Sequence, residues 1–418
     1  MTEQLLQYLW KYRLLDAQAL CTLEGEPVQV IKPGEQNRDS GADFSNARLK
    51  IGETVWAGNV EIELESANWE KHGHHADASH NNTLLLVCLR HTAKTPVSVP
   101  VIELGNRVNE KYSSTYRLLM ESQAFIPCHN FFARADNFIV QSWLQRLLIE
   151  RMEEKVLPIL TSLQQNKNNW EETFYHALAK NFGFNTNSVP FELLAKHKTS
   201  LLQLEALLLG QSGLLQTTTE TDNYAEQLMA EYAFLANKYK LSPIHHSLWK
   251  FSKTRPANFP TMRIAQFAAL IHTSSHLFSK ILEEGAVQNL QSLFEIKASA
   301  YWDTHYRFGH QTTSTKNILG ADAINNILIN TVAPFLFAYG HYHSNEEYKQ
   351  KALTLLEQLP KENNHIIRGY QNLNLQINNA AESQALLQLY KHWCTPKKCL
   401  QCRVGYSILK GYEAETTS

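Results

Sequence analysis

The sequence has no dominant charge: 39 lysines and arginines stand against 40 aspartates and glutamates. At a formal net charge of -1, no global field draws the chain to nucleic acid or an anionic membrane, so any such surface must be a local patch. Cysteine is scarce, six in 418 residues, which excludes a disulfide scaffold. No uninterrupted apolar run reaches bilayer length, and Gln4, Gln7, Lys11 and Arg13 break up the apolar residues at the start, unlike a signal peptide. The expectation is a cytoplasmic protein with neither membrane association nor secretion. There is no repeat of fixed period and no low-complexity tract, which disfavours a solenoid.

What remains is an ordinary folding composition. Charged residues at 19% and hydrophobic ones at 44% fall in the globular range, and the length predicts two domains. Leu5, Leu6, Leu9, Trp10 and Leu14 recur at helical spacing and predict an amphipathic first helix. Strands are predicted at 28–31 and 47–51, then, after a turn at Gly52-Glu53, at 54–64, forming a hairpin. Continuous apolar character at 83–89 predicts a strand buried on both faces, and 97–104 is a candidate fifth strand. From Phe138 the period becomes helical. Trp143, Leu147 and Met152 mark one face, and Trp170, Phe174, Ala177 and Leu178 another, closed by Gly183. Further helices are expected at 201–208, 224–240, 261–283, 322–338, 346–358 and 380–392, with Pro and Gly, including Pro190 and Gly210, in the gaps. The predicted class is α+β: a small β-rich domain over 1–135, then a mainly helical domain over 136–418 that ends in a cysteine cluster.

The hairpin carries the densest chemistry. On a strand, alternate residues share a face, so Glu61, Glu63 and Glu65 lie opposite Val60, Ile62 and Leu64. Asp43, just before the preceding strand, comes beside Glu61. Crowded carboxylates repel unless a cation neutralises them, and an all-oxygen site suits Mg2+ or Mn2+, which activates water against a phosphodiester. The alternative is a solvated acidic face without a ligand. An Asp before a hairpin and a Glu on its second strand resemble the PD-(D/E)XK nuclease core. The resemblance implies that Asp43 and Glu61 hold metal. Glu63 stands where that family has Lys, so Lys71 or a histidine would have to substitute. The segment between Glu63 and the next strand leaves little room for that family's intervening helix.

Next comes Trp69-Glu70-Lys71-His72-Gly73-His74-His75-Ala76-Asp77, with His80 close behind. Imidazoles so close to a strand of carboxylates could ligate Zn2+ or Mn2+, or serve as general acid and base. His72 is the candidate for proton transfer with Lys71, and His74 a candidate metal ligand. An exposed His-rich turn is the competing use.

Near the C-terminus, His392-x-Cys394-x4-Cys399-x2-Cys402 contains a C-x2-C pair, the usual start of a Zn2+ or iron–sulfur ligand set. The fourth ligand is open between His392, Cys128 and Cys21. Reduced cysteines packing the last helix are the alternative. The flanking basic residues favour thiolates, and Lys397, Lys398 and Arg403 could also touch phosphate. Arg255 and Arg263 flank Pro256-Ala257-Asn258-Phe259-Pro260, a helix start suited to anions, and complete the candidate nucleic-acid contacts. An interdomain turn with internally paired arginines is the competing reading there. Glu205, inside an apolar stretch, is expected to be buried and paired with Arg255 or Arg263.

Residues 16–24, Pro33-Gly34-Glu35-Gln36-Asn37, Gly41-Ala42-Asp43-Phe44, Trp56-Ala57-Gly58-Asn59-Val60-Glu61, Gln203-Leu204-Glu205-Ala206-Leu207, Arg255-Pro256-Ala257-Asn258-Phe259-Pro260 and Cys399-Leu400-Gln401-Cys402 resemble the Bacteroidetes family catalogued as domain of unknown function 2851. That likeness covers nearly the whole chain. It implies a bacterial cytoplasmic protein and supplies no activity. Two functions fit the residues: a metal-dependent, nuclease-like phosphodiesterase acting on nucleic acid, or a non-catalytic nucleic-acid or protein-interaction module with a structural metal site.

Overall fold

The computed structural model describes residues 1–37, 40–94, 97–183, 204–215, 222–252, 254–274 and 276–411. Pro190 and the first three residues of the 201–208 stretch lie outside them. The class is α+β, as the residue pattern predicts. The chain forms two compact units. The first comprises Met1–Trp143 with Leu389–Ser418, the second Leu144–Gln388. The expected division at 135 therefore moves into a helix, α4 (Asn137–Gln165), and the last thirty residues belong with the first unit rather than with the helices. The reason is apolar: Leu400 and Leu409 are buried in the same core as the N-terminal sheet.

In the first unit, α1 (Glu3–Tyr12) begins at Thr2, whose hydroxyl accepts from the Leu5 N–H, and stops at Arg13 in the left-handed region. Its apolar stripe, Leu5, Leu6, Leu9 and Trp10, is fully or almost fully buried. The strands are β1 (Val28–Lys32), β2 (Glu35–Gln36), β3 (Phe44–Ile51), β4 (Thr54–Glu65), β5 (Thr83–Arg90) and β6 (Val101–Glu103). They pair in the order β1-β3-β4-β5-β6, with β2 also on β3. β3 and β4 form the expected antiparallel hairpin, Ile51 opposite Thr54, around a two-residue loop with Gly52 at φ 57°. β5 then runs parallel to β4, so the chain must cross from one end of the sheet to the other over residues 66–82.

That crossover determines the site. Val60 and Ile62 enter the main core with Phe44, Leu49, Leu85 and Val87. The opposite face of β4 and β5 carries Glu61, Glu63, Leu86 and Cys88, and Trp69 of the crossover packs over it. The acidic face is therefore covered, not solvated. Glu61 is 6% exposed and Glu63 2%. Glu65, at the strand end, leaves the group and pairs with Arg90 at 2.7 Å.

Among the described residues, the second unit is helical apart from the small hairpin His305–Arg307/His310–Gln311. Its core includes stacked Trp170 and Phe278 (5.6 Å between ring centres) and Phe174 edge-on to Phe335 at 5.2 Å. A side chain at Gly210 would place its Cβ 2.1 Å from the Tyr232 ring, so close helix packing requires glycine there. The helix expected at 261–283 is two, Pro260–Thr273 and Leu277–Glu283, because the chain breaks before His276 at φ 54°. One stretch, Ala321–Tyr342, is long and apolar enough to cross a membrane, contrary to the expectation from uninterrupted runs, since its asparagines break any single run. Two-thirds of it is buried, as in a core helix.

Candidate metal centre

The crossover opens with α2 (Asn68–Lys71), a single turn, followed by the 3-10 turns His74–Ala76 and Ala78–His80. Gly73, at φ 77°, turns the chain between the first two. Three short turns in place of one long helix aim His72, His74 and His80 back toward β4. His72 Nδ1 lies 2.8 Å from Glu63 Oε1. His74 Nε2 is 3.3 Å from Oε1 of both Glu61 and Glu63. The Asn68 side-chain amide also donates to Glu63, at 3.1 Å. Two donor sets, Glu61–His74–His80 and Glu63–His72–His74, thus lie within 4.8 Å internally and share His74.

His80 carries the sharpest geometric signal. Its Nδ1 faces Ser79 Oγ at 3.1 Å and the Asp77 carboxylate at 3.3 Å, which favours the tautomer with the proton on Nδ1. The other nitrogen, Nε2, is buried without a hydrogen-bond partner and sits 3.8 Å from Glu61 Oε2. A lone pair then faces a carboxylate oxygen, an arrangement that needs a proton or a metal ion between them.

The electrostatics agree. Burial, with the Asp43 charge next, pushes Glu61 up to about 8. Burial also raises Asp43 to about 6, against the opposing Ile62 N–H. His74 is pushed down from its ordinary value by burial and then by the charge of His80. At neutral pH the pocket therefore holds a proton that a cation can displace.

Of the residues expected at the site, Asp43 is beside Glu61 but not in either donor set. Its backbone N–H donates to Glu61 Oε2 at 3.0 Å, while its carboxylate accepts from the Ile62 N–H at 3.0 Å and the Gln7 amide at 2.7 Å. Those bonds tie its carboxylate to the Ile62 N–H and the Gln7 amide and its backbone to Glu61. Lys71 is exposed, and no hydrogen bond or ion pair among the described residues joins it to the cluster. Glu63 and His80 join as ligand candidates; in the sequence His80 stands out only as a neighbour of the other histidines. Glu3, half-buried on α1, is missed entirely. Burial and the nearby Glu63 charge raise its carboxyl, and Gln7 links it to Asp43. Its only sequence signal is the acid in the first turn of a helix, which ordinarily reads as a response to the helix dipole.

The candidate nucleic-acid contacts divide. Arg255 is exposed, as are Lys398 and Arg403. Arg263 is buried, donating to Gln266 at 2.7 Å and to Asn258, so it cannot reach a phosphate. Lys397 donates to the carbonyls of Met120 and of Ser122 (3.0 Å), which ends the helix α3 (Glu110–Glu121). Glu205 is half-buried, and its partners are Trp302 Nε1 at 2.6 Å and Ser299 at 3.4 Å rather than an arginine. Cys394, Cys399 and Cys402 are all buried, none in a disulfide.

No curated protein and no solved structure matches the chain. A family model matches residues 3–365, a span that contains the whole hairpin and crossover: the chain belongs to the family described as protein of unknown function (DUF2851).

Proposed function

We propose that the first unit binds a divalent cation among Glu61, Glu63, His72, His74 and His80 and uses it as a metal-dependent, nuclease-like phosphodiesterase on nucleic acid. The observation that carries the proposal is the buried, unpartnered His80 Nε2 facing Glu61 at 3.8 Å, with His74 shared between both carboxylates. A mixed imidazole and carboxylate set favours Mn2+ or Zn2+ over Mg2+, which prefers oxygen and keeps its waters. Such an ion lowers the pKa of bound water and supplies a nucleophile near neutral pH. His72, whose side chain is 44% exposed, is the imidazole that meets solvent and suits proton transfer. Asp43 holds the Ile62 N–H and, through its own N–H, the orientation of Glu61. The choice of phosphodiester rests on the likeness of the Asp43–Glu61 hairpin to the PD-(D/E)XK core.

The test is cleavage of labelled single- and double-stranded DNA and RNA by the full chain with Mn2+, Zn2+ or Mg2+. Cleavage that depends on Mn2+ or Zn2+ and falls on the order of 100-fold in Glu61→Gln and in His74→Ala supports the proposal. Metal binding without cleavage of any of these substrates sinks its catalytic half. The second reading, a non-catalytic nucleic-acid or protein-interaction module, draws on Glu63, which is 2% exposed and bonded to Asn68, His72 and His74 as in a closed internal network. It expects nucleic-acid or protein binding unchanged in Glu61→Gln.

A further inference from the structure

A second cluster in the first unit lies apart from the carboxylates. Cys402 is the residue before the helix Arg403–Lys410, and Cys128 the residue before the 3-10 turn His129–Arg134; these two elements pack together. The Asp136 N–H donates to Ser407 Oγ at 2.7 Å and fixes their register. Phe125 stacks on Tyr390 (5.2 Å between ring centres), and Trp143 meets Trp393 edge-on at 4.9 Å. The Phe125 stack thus holds the chain just before Cys128 against the segment that leads to Cys394. Lys397, left-handed at φ 53°, makes the turn between Cys394 and Cys399 and anchors it to the end of α3 through Met120 and Ser122. Gly405 lies so close to Cys399 that a Cβ would stand 2.1 Å from its carbonyl oxygen, which folds Cys399 and Cys402 into one tight loop.

We infer that Cys128, Cys394, Cys399 and Cys402 form a four-thiolate metal site, with Cys128 as the ligand that completes the C-terminal trio. Each of the four is 8% exposed, and they are drawn from three places in the chain. A thiophilic centre, a Zn2+ ion or an iron–sulfur cluster, is the chemistry that four buried cysteines can hold. Burial raises the thiol of Cys128, and the neighbouring Cys394, Cys402 and Cys399 raise it further, so the four sense one another. Burial raises the Cys402 thiol as well, against the opposing N–H groups of Gly405 and Val404. The four sulfurs are not among the donor sets that already lie within 4.8 Å, so ligation draws them closer and sends the thiol protons to solvent. The family match ends at residue 365, before three of these cysteines.

X-ray absorption at the metal edge of the full chain, purified without oxygen, tests the ligand set without any mutation. A zinc edge with four sulfurs, or an iron edge with cluster sulfide and visible charge-transfer absorption, supports the site and identifies its occupant. Three sulfurs and one nitrogen on zinc overturn the role of Cys128, and absence of both metals after reconstitution overturns the site. Metal analysis of variants checks the assignment: Cys128→Ser and Cys399→Ser should each lose the metal, while Cys21→Ser, at an exposed cysteine, keeps it. If Cys128→Ser does not fold, alkylation of the native chain decides. Cys128 should become reactive together with the other three when a chelator strips the metal, and an unchanged rate at Cys128 contradicts the proposal.

Discussion

In the helical unit, Arg263 is buried against Gln266 and Asn258, Glu205 accepts from Trp302 and Ser299, and Arg151 donates to Gln384, whose own amide donates to Glu362 at 2.6 Å. In the first unit, Glu61 and His80 face each other at 3.8 Å with no hydrogen bond between them, beside Glu63 and Asp43. In the helical unit the charges of Arg263, Glu205 and Arg151 each meet internal amide, hydroxyl or indole partners. In the first unit the buried His80 Nε2 has no hydrogen-bond partner and faces Glu61, whose carboxyl burial holds in its protonated form near neutral pH. A burial that is already satisfied explains itself as structure, whereas one that lacks a positive charge asks for a ligand.

The contrast can be broken by mutation, beginning with the largest effect. Arg263→Ala should destabilise the helical unit by about 3 kcal/mol in urea unfolding, because it leaves Gln266 and Asn258 unpaired around a cavity. Added metal should not restore that loss. Glu61→Gln should do the opposite in the first unit. Without metal it should stabilise the fold by about 2 kcal/mol at pH 8, since it keeps an acceptor for the Asp43 N–H and removes a carboxylate that resists ionisation. If Glu61→Gln is destabilising at that pH, the carboxylate is already compensated and the site is closed.

The pH responses of the two units should also diverge. Glu61 and Asp43 are raised to about 8 and about 6, so their contribution is complete below their ordinary values and is lost as pH rises through the raised ones. Burial pushes Lys155 in the helical unit down to about 7 from an ordinary 10.5, so its contribution is complete above that ordinary value and is lost as pH falls toward 7. Hydrogen exchange on metal-free protein should therefore show β3 and β4 loosening from pH 5 to 9 while α4 around Lys155 tightens above pH 7. Mn2+ or Zn2+ should abolish only the first trend. The smallest expected effect is at the rim. Arg90→Ala removes an exposed partner of Glu65 and should cost less than about 1 kcal/mol, with no change in metal affinity.

Much of this was legible in the residues because local periodicity carries it. The alternation of Val60, Ile62 and Leu64 with Glu61, Glu63 and Glu65 predicted the two faces of β4, and Gly52-Glu53 predicted its turn. The covering of the acidic face was not legible. It depends on β5 running parallel to β4, which sends the crossover over that face, and strand direction leaves no periodic signature. For the same reason His80 looked peripheral in the sequence and is 6% exposed in the fold. Arg263 stayed open between a phosphate contact and internal pairing because an arginine near a helix start reads alike whether its guanidinium meets a phosphate or two amides. The return of the C-terminus to the first unit rests on long-range apolar contacts of Leu400 and Leu409, which composition cannot reveal.

Titration calorimetry of the metal-free full chain with Mn2+ and Zn2+ near neutral pH, repeated in buffers of different ionisation heat, tests the central claim most directly. The account predicts saturable binding of about one ion in the first unit, with release of about one proton from Glu61, and loss of that event in His74→Ala. Any signal from the cysteine site is separated by its persistence in that variant. Absence of saturable binding, or binding that His74→Ala leaves unchanged, would contradict it.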